Sequence, residues 1–291
     1  MKDFLYLTSY KLFKLIARNM PNFMLDGIAG LIYFLDKKHR KIVITNLDIA
    51  FVDMSNDDKE KISKSMYKNL IYNLADFAKN QDTTKEEVLK KVKFVNEHVL
   101  NNLLKEDKKV ILITAHYGNW ELLSLAISSY FKPFSIVGRD LDSPIMNKVL
   151  QQNREQFGVE VISKRGAMRK LLSVLKEGKS LLGLLVDQNT SSGIEVDFFG
   201  KPAMHTHSVS LLAKKMNAVI VPVYISTQNH KEYQVKFYEG IYPISTDNHE
   251  DDILKLTQQQ ANITEYIIKE KPDEYFWLHK RWKNTHRELY K

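Results

Sequence analysis

The chain has 291 residues, of which 44% are hydrophobic and 27% charged, a composition typical of a folded protein long enough for one large α/β domain. It contains no cysteine, which excludes a disulfide scaffold, thiolate catalysis and cysteine-bound zinc. The net charge of +8 favours acidic partners, and because the basic residues form no recognisable nucleic-acid module we expect an anionic membrane surface or an acidic carrier protein rather than nucleic acid.

Residues 1–36 are expected to form membrane-associated helices. They are rich in apolar residues, but regularly spaced charges and a Met20-Pro21 junction leave no apolar run long enough for a spanning helix. One helical side carries apolar residues and the other carries cations: Phe4, Leu5, Leu12, Leu15 and Ile16 against Lys11, Lys14 and Arg18. This pattern is typical of an interfacial amphipathic helix, and the basic residues at 37–41 would attract anionic headgroups. The alternative is a helical hairpin packed on the main domain, with a solvated basic loop.

Residues 37–291 are expected to form the main domain. Ser55 and Asp58 resemble a helix N-cap, and residues 55–105 are expected to be mostly helical. From residue 110 strands and helices alternate: strands at 110–115, 134–138, 159–162, 181–186 and 218–225, and helices at 120–130, 144–156, 166–177 and 208–216. Residues 233–238 are predicted to be an edge strand and 251–270 a long helix. The alternation predicts an α/β core over 110–291, with a mainly parallel sheet covered by helices.

The stretch 111–121 carries the strongest functional signal. An apolar, β-branched run ends in His116, Gly118 and Asn119 are typical of a turn, and Glu121 falls in the first turn of the next helix. A carboxylate in that position can orient and charge-stabilise an imidazole. We therefore predict a general base, His116, oriented by Glu121. The alternative is a structural histidine that caps the strand.

Two other predicted strands end in polar residues. Arg139 follows one strand, and Asp187 and Gln188 follow another. In open α/β sheets the ligand crevice lies outside the carboxyl ends of the strands, so a base, a cation and an acid would converge there. A surface salt bridge for Arg139 and a turn cap for Asp187 are the alternatives for each residue alone.

No metal or nucleotide cofactor is expected. His205 and His207 form a possible ligand pair but lack a third ligand at usable spacing, and the chain has neither a Walker A loop nor a dinucleotide fingerprint. The neighbouring Phe198-Phe199 pair either lines an acyl channel or fills the core.

The block His116-Tyr-Gly-Asn-Trp-Glu121 resembles the His-x4-Glu motif of the lipid A late (secondary) acyltransferases, of lauroyl- and myristoyltransferase type, in the lysophospholipid acyltransferase superfamily. Further similar blocks follow in the expected order over nearly the whole chain: residues 37–51, 137–144, 185–188, 196–202, 218–223 and 275–283. Glu121 stands where the glycerophospholipid branch commonly has Asp, which favours the lipid A branch. The second block reads Gly138-Arg139-Asp140, where the family often has Tyr-Arg-Pro.

The resemblance implies a glycerol-phosphate acyltransferase-like fold. It also implies an acyltransferase that moves a fatty acyl chain from acyl carrier protein to a hydroxyl of a lipid A precursor similar to Kdo-lipid IVA, in lipopolysaccharide or lipooligosaccharide biosynthesis. His116 and Glu121 would be catalytic. The substrate-binding residues would be Asn119, Arg139, Asp187 and Gln188, with the Arg139 guanidinium suited to a phosphate.

The implied location is the cytoplasmic face of the inner membrane of a Gram-negative bacterium, and no cofactor besides the acyl donor is implied. Three alternatives remain at this point: an acyltransferase acting on a lysophospholipid or other glycolipid, a hydrolase in which His116 activates water, and a non-catalytic membrane-associated lipid-binding protein.

Overall fold

The computed structural model describes residues 2–139, 141, 143–164 and 166–291, with side chains from residue 6 onwards apart from the three gaps. The chain begins with four helices: α1 (Lys2–Asn19), α2 (Asn22–Leu35), α3 (Lys37–Ala50) and α4 (Asn56–Asn80). Ser55 caps α4 as predicted, because its side chain accepts a hydrogen bond from the Asp58 N–H. Within the described residues, no helix combines the length and the apolar character needed to cross a bilayer.

Helices α1 and α2 pack on α4 through small and apolar residues, among them the buried Ala17, Leu25 and Ala29. Their opposite faces leave large apolar side chains exposed. The exposed set is Tyr6, Leu7, Leu12, Phe13, Leu15, Ile16, Phe23, Met24, Leu31, Phe34 and Leu35. The exposed Leu12, Leu15 and Ile16 belong to the apolar side predicted from the sequence.

A seven-stranded sheet with the order β1-β9-β8-β2-β5-β3-β4 forms the centre of the molecule. Its strands are β1 (Val92–Val95), β2 (Val110–Thr114), β3 (Phe134–Gly138), β4 (Val159–Ser163), β5 (Leu181–Leu185), β8 (Val219–Thr227) and β9 (Tyr233–Phe237). The helices around it are α5 (Lys85–Lys91), α6 (His98–Lys105), α7 (Trp120–Tyr130), α8 (Pro144–Glu155), α9 (Ala167–Glu177), α10 (Ser208–Met216) and α11 (His249–Glu270). Strands β2, β3, β4, β5 and β8 run parallel, which confirms the predicted fold class.

Strand β2 is buried on both faces, which explains its uninterrupted apolar sequence. Val110 and Leu112 pack on the α7 side of the sheet, whereas Ile111 and Ile113 pack on the side of α9 and α10. This alternation follows the two-residue repeat of a strand. The five strands and four helices predicted between residues 110 and 225 agree with the observed bounds to within two residues.

The stretch 55–105 is mostly helical, as predicted, but it also contains strand β1, which was not predicted and which pairs with β9. Consequently the predicted edge strand β9 is not at the edge, because β1 lies outside it. The segment that contains Phe198 and His205 forms a hairpin of β6 (Ile194–Phe198) and β7 (Lys201–His205), which the sequence analysis did not predict. Its two turn residues, Phe199 and Gly200, both have positive φ, which fits a type I′ hairpin turn.

Phe198 and Phe199 fill a core in this structure. Both are buried and pack with Trp277 and Trp282 of the C-terminal segment. The Asn46 side-chain amide on α3 anchors this segment by donating to the backbone carbonyls of Trp277 at 2.7 Å and His279 at 2.8 Å. The chain's end is therefore held against the sheet edge at which β2 and β5 finish.

Candidate active site

The loop after β2 places His116 at the carboxyl end of the sheet and is clamped by the C-terminal segment. The backbone N–H of Phe276 donates to the His116 carbonyl at 2.9 Å, and the Gly118 N–H donates to the Glu274 carbonyl at 2.9 Å. Gly118 has a φ of +56°, and a Cβ atom there would lie 1.9 Å from the Ile225 carbonyl oxygen. Only glycine fits this turn.

Asn119 begins α7 rather than facing a substrate. Its side-chain oxygen accepts a hydrogen bond from the Leu122 N–H at 3.2 Å, and its amide donates to the Asp76 carboxylate at 3.4 Å. The residue is 2% exposed. Tyr233 also donates its hydroxyl hydrogen to Asp76. The sequence-based assignment of Asn119 to substrate binding is corrected accordingly: both polar ends of its side chain hold the loop in place.

Asp187 is the acidic partner of His116. The His116 Nδ1 atom lies 3.0 Å from Asp187 Oδ1 and 3.3 Å from Oδ2, and the His116 backbone N–H donates to Oδ1 at 3.1 Å. The parallel register of β2 and β5 pairs Thr114 with Leu185. Residues two positions further on therefore emerge side by side, although 71 residues separate them in the chain. We expected Asp187 to bind substrate, and the structure instead gives its carboxylate to the imidazole.

Burial and charge together set the pKa values of this pair. Burial lowers the pKa of His116, but the charge and hydrogen bond of Asp187 outweigh it, and the net direction is upward. For Asp187 burial acts in the other direction and raises the pKa. The charges of His116 and of the more distant His279 outweigh burial and hold the Asp187 pKa well below its usual range. Asp187 is fully buried and His116 is 21% exposed at the side chain. An ionised, water-excluded carboxylate therefore faces an imidazole that stays in reach of a ligand.

Glu121 is bonded to Arg154, and the prediction that it orients His116 through a hydrogen bond was wrong. The Arg154 Nε donates to Glu121 Oε2 at 2.9 Å, and one terminal nitrogen donates to Oε1 at 2.6 Å. Both side chains are mostly buried, at 14% and 18% exposure. The first turn of α7 directs Glu121 towards α8, which carries Arg154. Glu121 still raises the pKa of His116 through its charge at longer range.

Three side chains surround the free edge of the imidazole. Trp120 packs edge-on against the His116 ring with centroids 5.3 Å apart, and Phe276 packs at 6.1 Å. The Gln188 side-chain nitrogen lies 3.3 Å from His116 Nε2. Because Nδ1 is bonded to Asp187, Nε2 is the atom available for a reacting hydroxyl. The structure therefore brings Gln188 to the predicted base.

Arg139 directly follows β3 and is exposed. Strand β3 pairs with β5, which pairs with β2, so Arg139 lies at the same sheet edge as His116. Asp140 and Asp142 of the same sequence block lie outside the described residues. The three strand ends therefore lie at the same edge of the sheet, as predicted. Asp187 and Gln188 contact the imidazole directly.

His205 and Arg281 occupy the buried layer behind this edge. The Arg281 guanidinium donates to the Met204 carbonyl at 2.6 Å and contacts His205 Nδ1 at 3.0 Å. Burial, reinforced by the Arg281 charge, lowers the pKa of His205 to about 3. Among the residues that the structure describes, no group of three potential metal-binding side chains occurs.

A narrow, mainly apolar cavity runs between α7 and the sheet. Its walls include Trp120, Glu121 and Arg154 on the helix side and Phe134 and Gly183 on the sheet side. It therefore adjoins Trp120, which packs against the His116 ring. No sequence pattern indicated it, because its walls come from strands and helices distant in the chain.

Sequence reasoning missed the contributions of Arg154, Trp120 and Phe276. Trp120 and Phe276 lie within blocks 116–121 and 275–283, which resemble the family's motifs. That resemblance is the signal that could have identified them. Arg154 lies on the amphipathic helix α8 and carries no motif. Its pairing with Glu121 depends on how α7 and α8 pack.

The fold and the His116–Asp187 contact define an α/β protein with a partly exposed histidine, a buried acidic partner and an apolar cavity nearby. Such a histidine can remove a proton from a hydroxyl or from water. The profile of the bacterial lipid A biosynthesis acyltransferase family matches residues 1–284. The chain therefore belongs to this family of acyltransferases.

Individual relatives are distant. A phosphatidylinositol mannoside acyltransferase of Mycolicibacterium smegmatis is 25% identical over 182 residues, which are 59% of this chain and 56% of that protein. The match thus spans little more than half of that relative. A lipid A biosynthesis acyltransferase of Haemophilus influenzae is 19% identical over 245 residues, with 83% of this chain and 75% of the relative covered.

Among solved structures, the chain is similar to the 1-acyl-sn-glycerophosphate acyltransferase PlsC of Thermotoga maritima. The two are 14% identical, with 84% of this chain and 98% of that chain covered, and the TM-score is 0.37.

Proposed function

We propose that the protein transfers a fatty acyl chain from acyl carrier protein to a hydroxyl of a lipid A precursor similar to Kdo-lipid IVA, in lipopolysaccharide or lipooligosaccharide biosynthesis. The observation that carries this proposal is the contact between His116 Nδ1 and Asp187 Oδ1, at 3.0 Å, in a chain of this family. It leaves Nε2 as a proton acceptor at the sheet edge. The apolar cavity beside Trp120 supports an apolar substrate, and its walls would have to move apart to admit an acyl chain.

In the proposed reaction, His116 Nε2 takes the proton of the acceptor hydroxyl as its oxygen attacks the thioester carbonyl. Asp187 stabilises the imidazolium that forms, which is the role of the acid in a Ser-His-Asp triad. The tetrahedral intermediate then collapses: the carbon–sulfur bond breaks, and the imidazolium returns the proton to the departing thiolate. No covalent acyl-enzyme and no cofactor are required, because the thioester is already activated.

Glu121 has a different place in this mechanism from the one expected. Its carboxylate adds negative charge near His116 and neutralises Arg154, and both residues line the apolar cavity. Without Glu121 the Arg154 guanidinium would be a buried, unpaired charge next to the base. Glu121 therefore supports both the charge of the imidazolium and the shape of the site.

Arg139 is proposed to bind a phosphate, either of the lipid headgroup or of the carrier's phosphopantetheine. A guanidinium forms bidentate hydrogen bonds to phosphate, and the exposed position of Arg139 at the end of β3 suits a large ligand. The net charge of +8 supports docking of an acidic carrier. Raising the salt concentration should weaken that docking, and a carrier KM that does not respond to salt would contradict it.

Membrane association is proposed through α1 and α2. Leu15 is 64% exposed and Phe34 is 67% exposed, on helices whose other faces are packed against α4. The basic residues at 37–41 open α3, and four of the five are exposed. These features support attachment to an anionic surface, which we place at the cytoplasmic face of the inner membrane of a Gram-negative bacterium.

A second candidate acceptor is a mannosylated phosphatidylinositol or another glycolipid. The similarity to the mannoside acyltransferase, which covers 59% of this chain, favours such an acceptor. The chemistry at His116 would be the same, and only the acceptor would differ. A lysophospholipid acceptor belongs to the same group of alternatives.

The deciding experiment combines two measurements. Purified protein is supplied with lauroyl-acyl carrier protein and either Kdo-lipid IVA, a phosphatidylinositol mannoside or a lysophospholipid, and products are identified by mass spectrometry. Lipid A from cells lacking the protein is examined in parallel for loss of one secondary acyl chain. Free fatty acid alone, or an unchanged lipid A profile together with transfer to another acceptor, would reject the lipid A assignment.

A further inference from the structure

The side chain of Gln188 lies on the atom that must accept the proton. Its amide nitrogen is 3.3 Å from His116 Nε2. Since the Nδ1–H of neutral His116 is directed at Asp187, Nε2 carries the lone pair. The Gln188 amide N–H is therefore a hydrogen-bond donor to the base itself.

The surroundings of His116 make this contact significant. Trp120 and Phe276 cover the ring from two directions, and Asp187 covers Nδ1. Gln188 occupies the hydrogen-bonding direction of Nε2, and yet it is exposed to solvent itself. It follows β5 directly after Asp187, so its backbone is fixed while its side chain has room to rotate away.

We propose that Gln188 is a movable cap on His116 that keeps water from the base until the acceptor hydroxyl displaces it. This inference rests on the proposed function, in which His116 acts as the general base. Without the cap, water would lose its proton to Nε2 and attack the thioester, releasing a fatty acid and a thiol. The cap thus favours transfer over hydrolysis.

The test compares wild-type protein with Gln188→Ala and Gln188→Leu, and with Gln228→Ala as a matched change of another exposed glutamine. Each protein is given lauroyl-pantetheine first without an acceptor and then with Kdo-lipid IVA. Gln188→Ala should raise acceptor-free hydrolysis several-fold, up to about tenfold for the loss of one hydrogen bond. The ratio of transfer to hydrolysis should fall in both Gln188 variants and remain unchanged in Gln228→Ala.

Hydrolysis in Gln188→Ala at or below the wild-type rate would overturn the cap, whether or not transfer also falls. Failure of the proposed function is recognised separately, because it appears as unchanged turnover in His116→Ala. If His116→Ala is inactive but the ratio of transfer to hydrolysis is the same in wild type and in the Gln188 variants, only the cap is rejected.

A second measurement needs no substrate. The pKa of His116 is followed by NMR titration of its ring in the wild type and in Gln188→Glu. A carboxylate at this position should raise the His116 pKa by about one unit or more, since opposite charges within contact distance favour the protonated form. An unchanged His116 pKa would show that residue 188 does not face Nε2 in solution, and would overturn the proposal.

Discussion

The Nδ1 atom of His116 lies 3.0 Å from Oδ1 of Asp187, on the loop that follows the neighbouring parallel strand. Asp187 is completely buried, so its charge is felt at the imidazole with little screening by water. The arrangement separates the two acidic residues near His116 into different roles. Asp187 is bonded to the His116 imidazole, while Glu121 is bonded to the Arg154 guanidinium.

Replacing Asp187 with Asn should reduce kcat about 10³–10⁴-fold, because the amide removes the charge and disturbs the imidazole tautomer. The protein should still fold, since an Asn oxygen can keep the bond to the His116 N–H. Acyl transfer rates and circular dichroism measure these two effects. Activity within about tenfold of wild type would contradict the assignment of Asp187 as the partner of the base.

Replacing Glu121 with Gln should lower the free energy of unfolding by about 1–3 kcal/mol, because it leaves the Arg154 guanidinium without its ion pair. Glu121→Asp should retain more stability and activity than Glu121→Ala if charge beside Arg154 is what matters. Denaturant unfolding and transfer rates are measured for each variant.

The double variant Glu121→Leu with Arg154→Met provides the control, since an apolar pair of similar volume avoids the unpaired charge. It should be more stable than either single variant and recover part of the activity. A double variant as stable as Glu121→Leu alone would show that the ion pair is not coupled, and continued inactivity would assign Glu121 a direct catalytic role.

The pH dependence of kcat/KM should report the His116–Asp187 pair. A general base acts in its neutral form, and Asp187 raises the pKa of His116. The acid limb of the profile should therefore lie above the ordinary histidine value, and Asp187→Asn should move it to lower pH. A profile with the same acid limb in both proteins would contradict this.

The free energy of unfolding should depend on pH through both His116 and Asp187, with opposite signs for the two residues. The raised pKa of folded His116 gives stability that is fully present below its unfolded pKa and is lost as the pH rises through the folded value. The lowered pKa of Asp187 gives stability that is present above its unfolded pKa and is lost as the pH falls. Urea unfolding of wild type and Asp187→Asn across pH measures both, and parallel curves would exclude the linkage.

Replacing Gly118 with Ala should abolish activity and destabilise the fold by more than the cost of a left-handed alanine. The added Cβ would lie 1.9 Å from the Ile225 carbonyl oxygen, so the loop that carries His116 must move away from β8. Gly178→Ala is the matched control, because Gly178 has a φ of +65° but nothing within 4 Å of its Cβ position. It should cost only about 1–2 kcal/mol. Thermal unfolding compares the stabilities of the two variants. Equal losses of stability would show that the close approach of Gly118 to Ile225 does not constrain the loop.

Replacing Leu15 and Phe34 with Gln should weaken binding to vesicles that contain anionic lipid by about tenfold or more, because each apolar side chain buried in the interface contributes about 1.5–3 kcal/mol. The control replaces Leu254 and Tyr266, which are 42% and 51% exposed on α11. Vesicle co-sedimentation measures binding. Equal binding by the two double variants would show that α1 and α2 do not contact the membrane.

The sequence by itself determined the layout of the α/β core. Strand and helix bounds between residues 110 and 225 follow from local hydrophobic repeats, and a buried parallel strand such as β2 has an uninterrupted apolar sequence. The abrupt end of that strand also identified His116. Strand β1 and the β6–β7 hairpin were missed because a four-residue strand and a Phe-Gly turn give too weak a local pattern.

The tertiary structure alone decided which acid contacts His116. Glu121 is near His116 in the chain, but the first turn of α7 carries it to Arg154 on α8. Asp187 is 71 residues away, and the register of two parallel strands brings it to the imidazole. Sequence spacing describes one helix or one strand, whereas the partner of a side chain at a sheet edge depends on which strands are neighbours and how they are aligned.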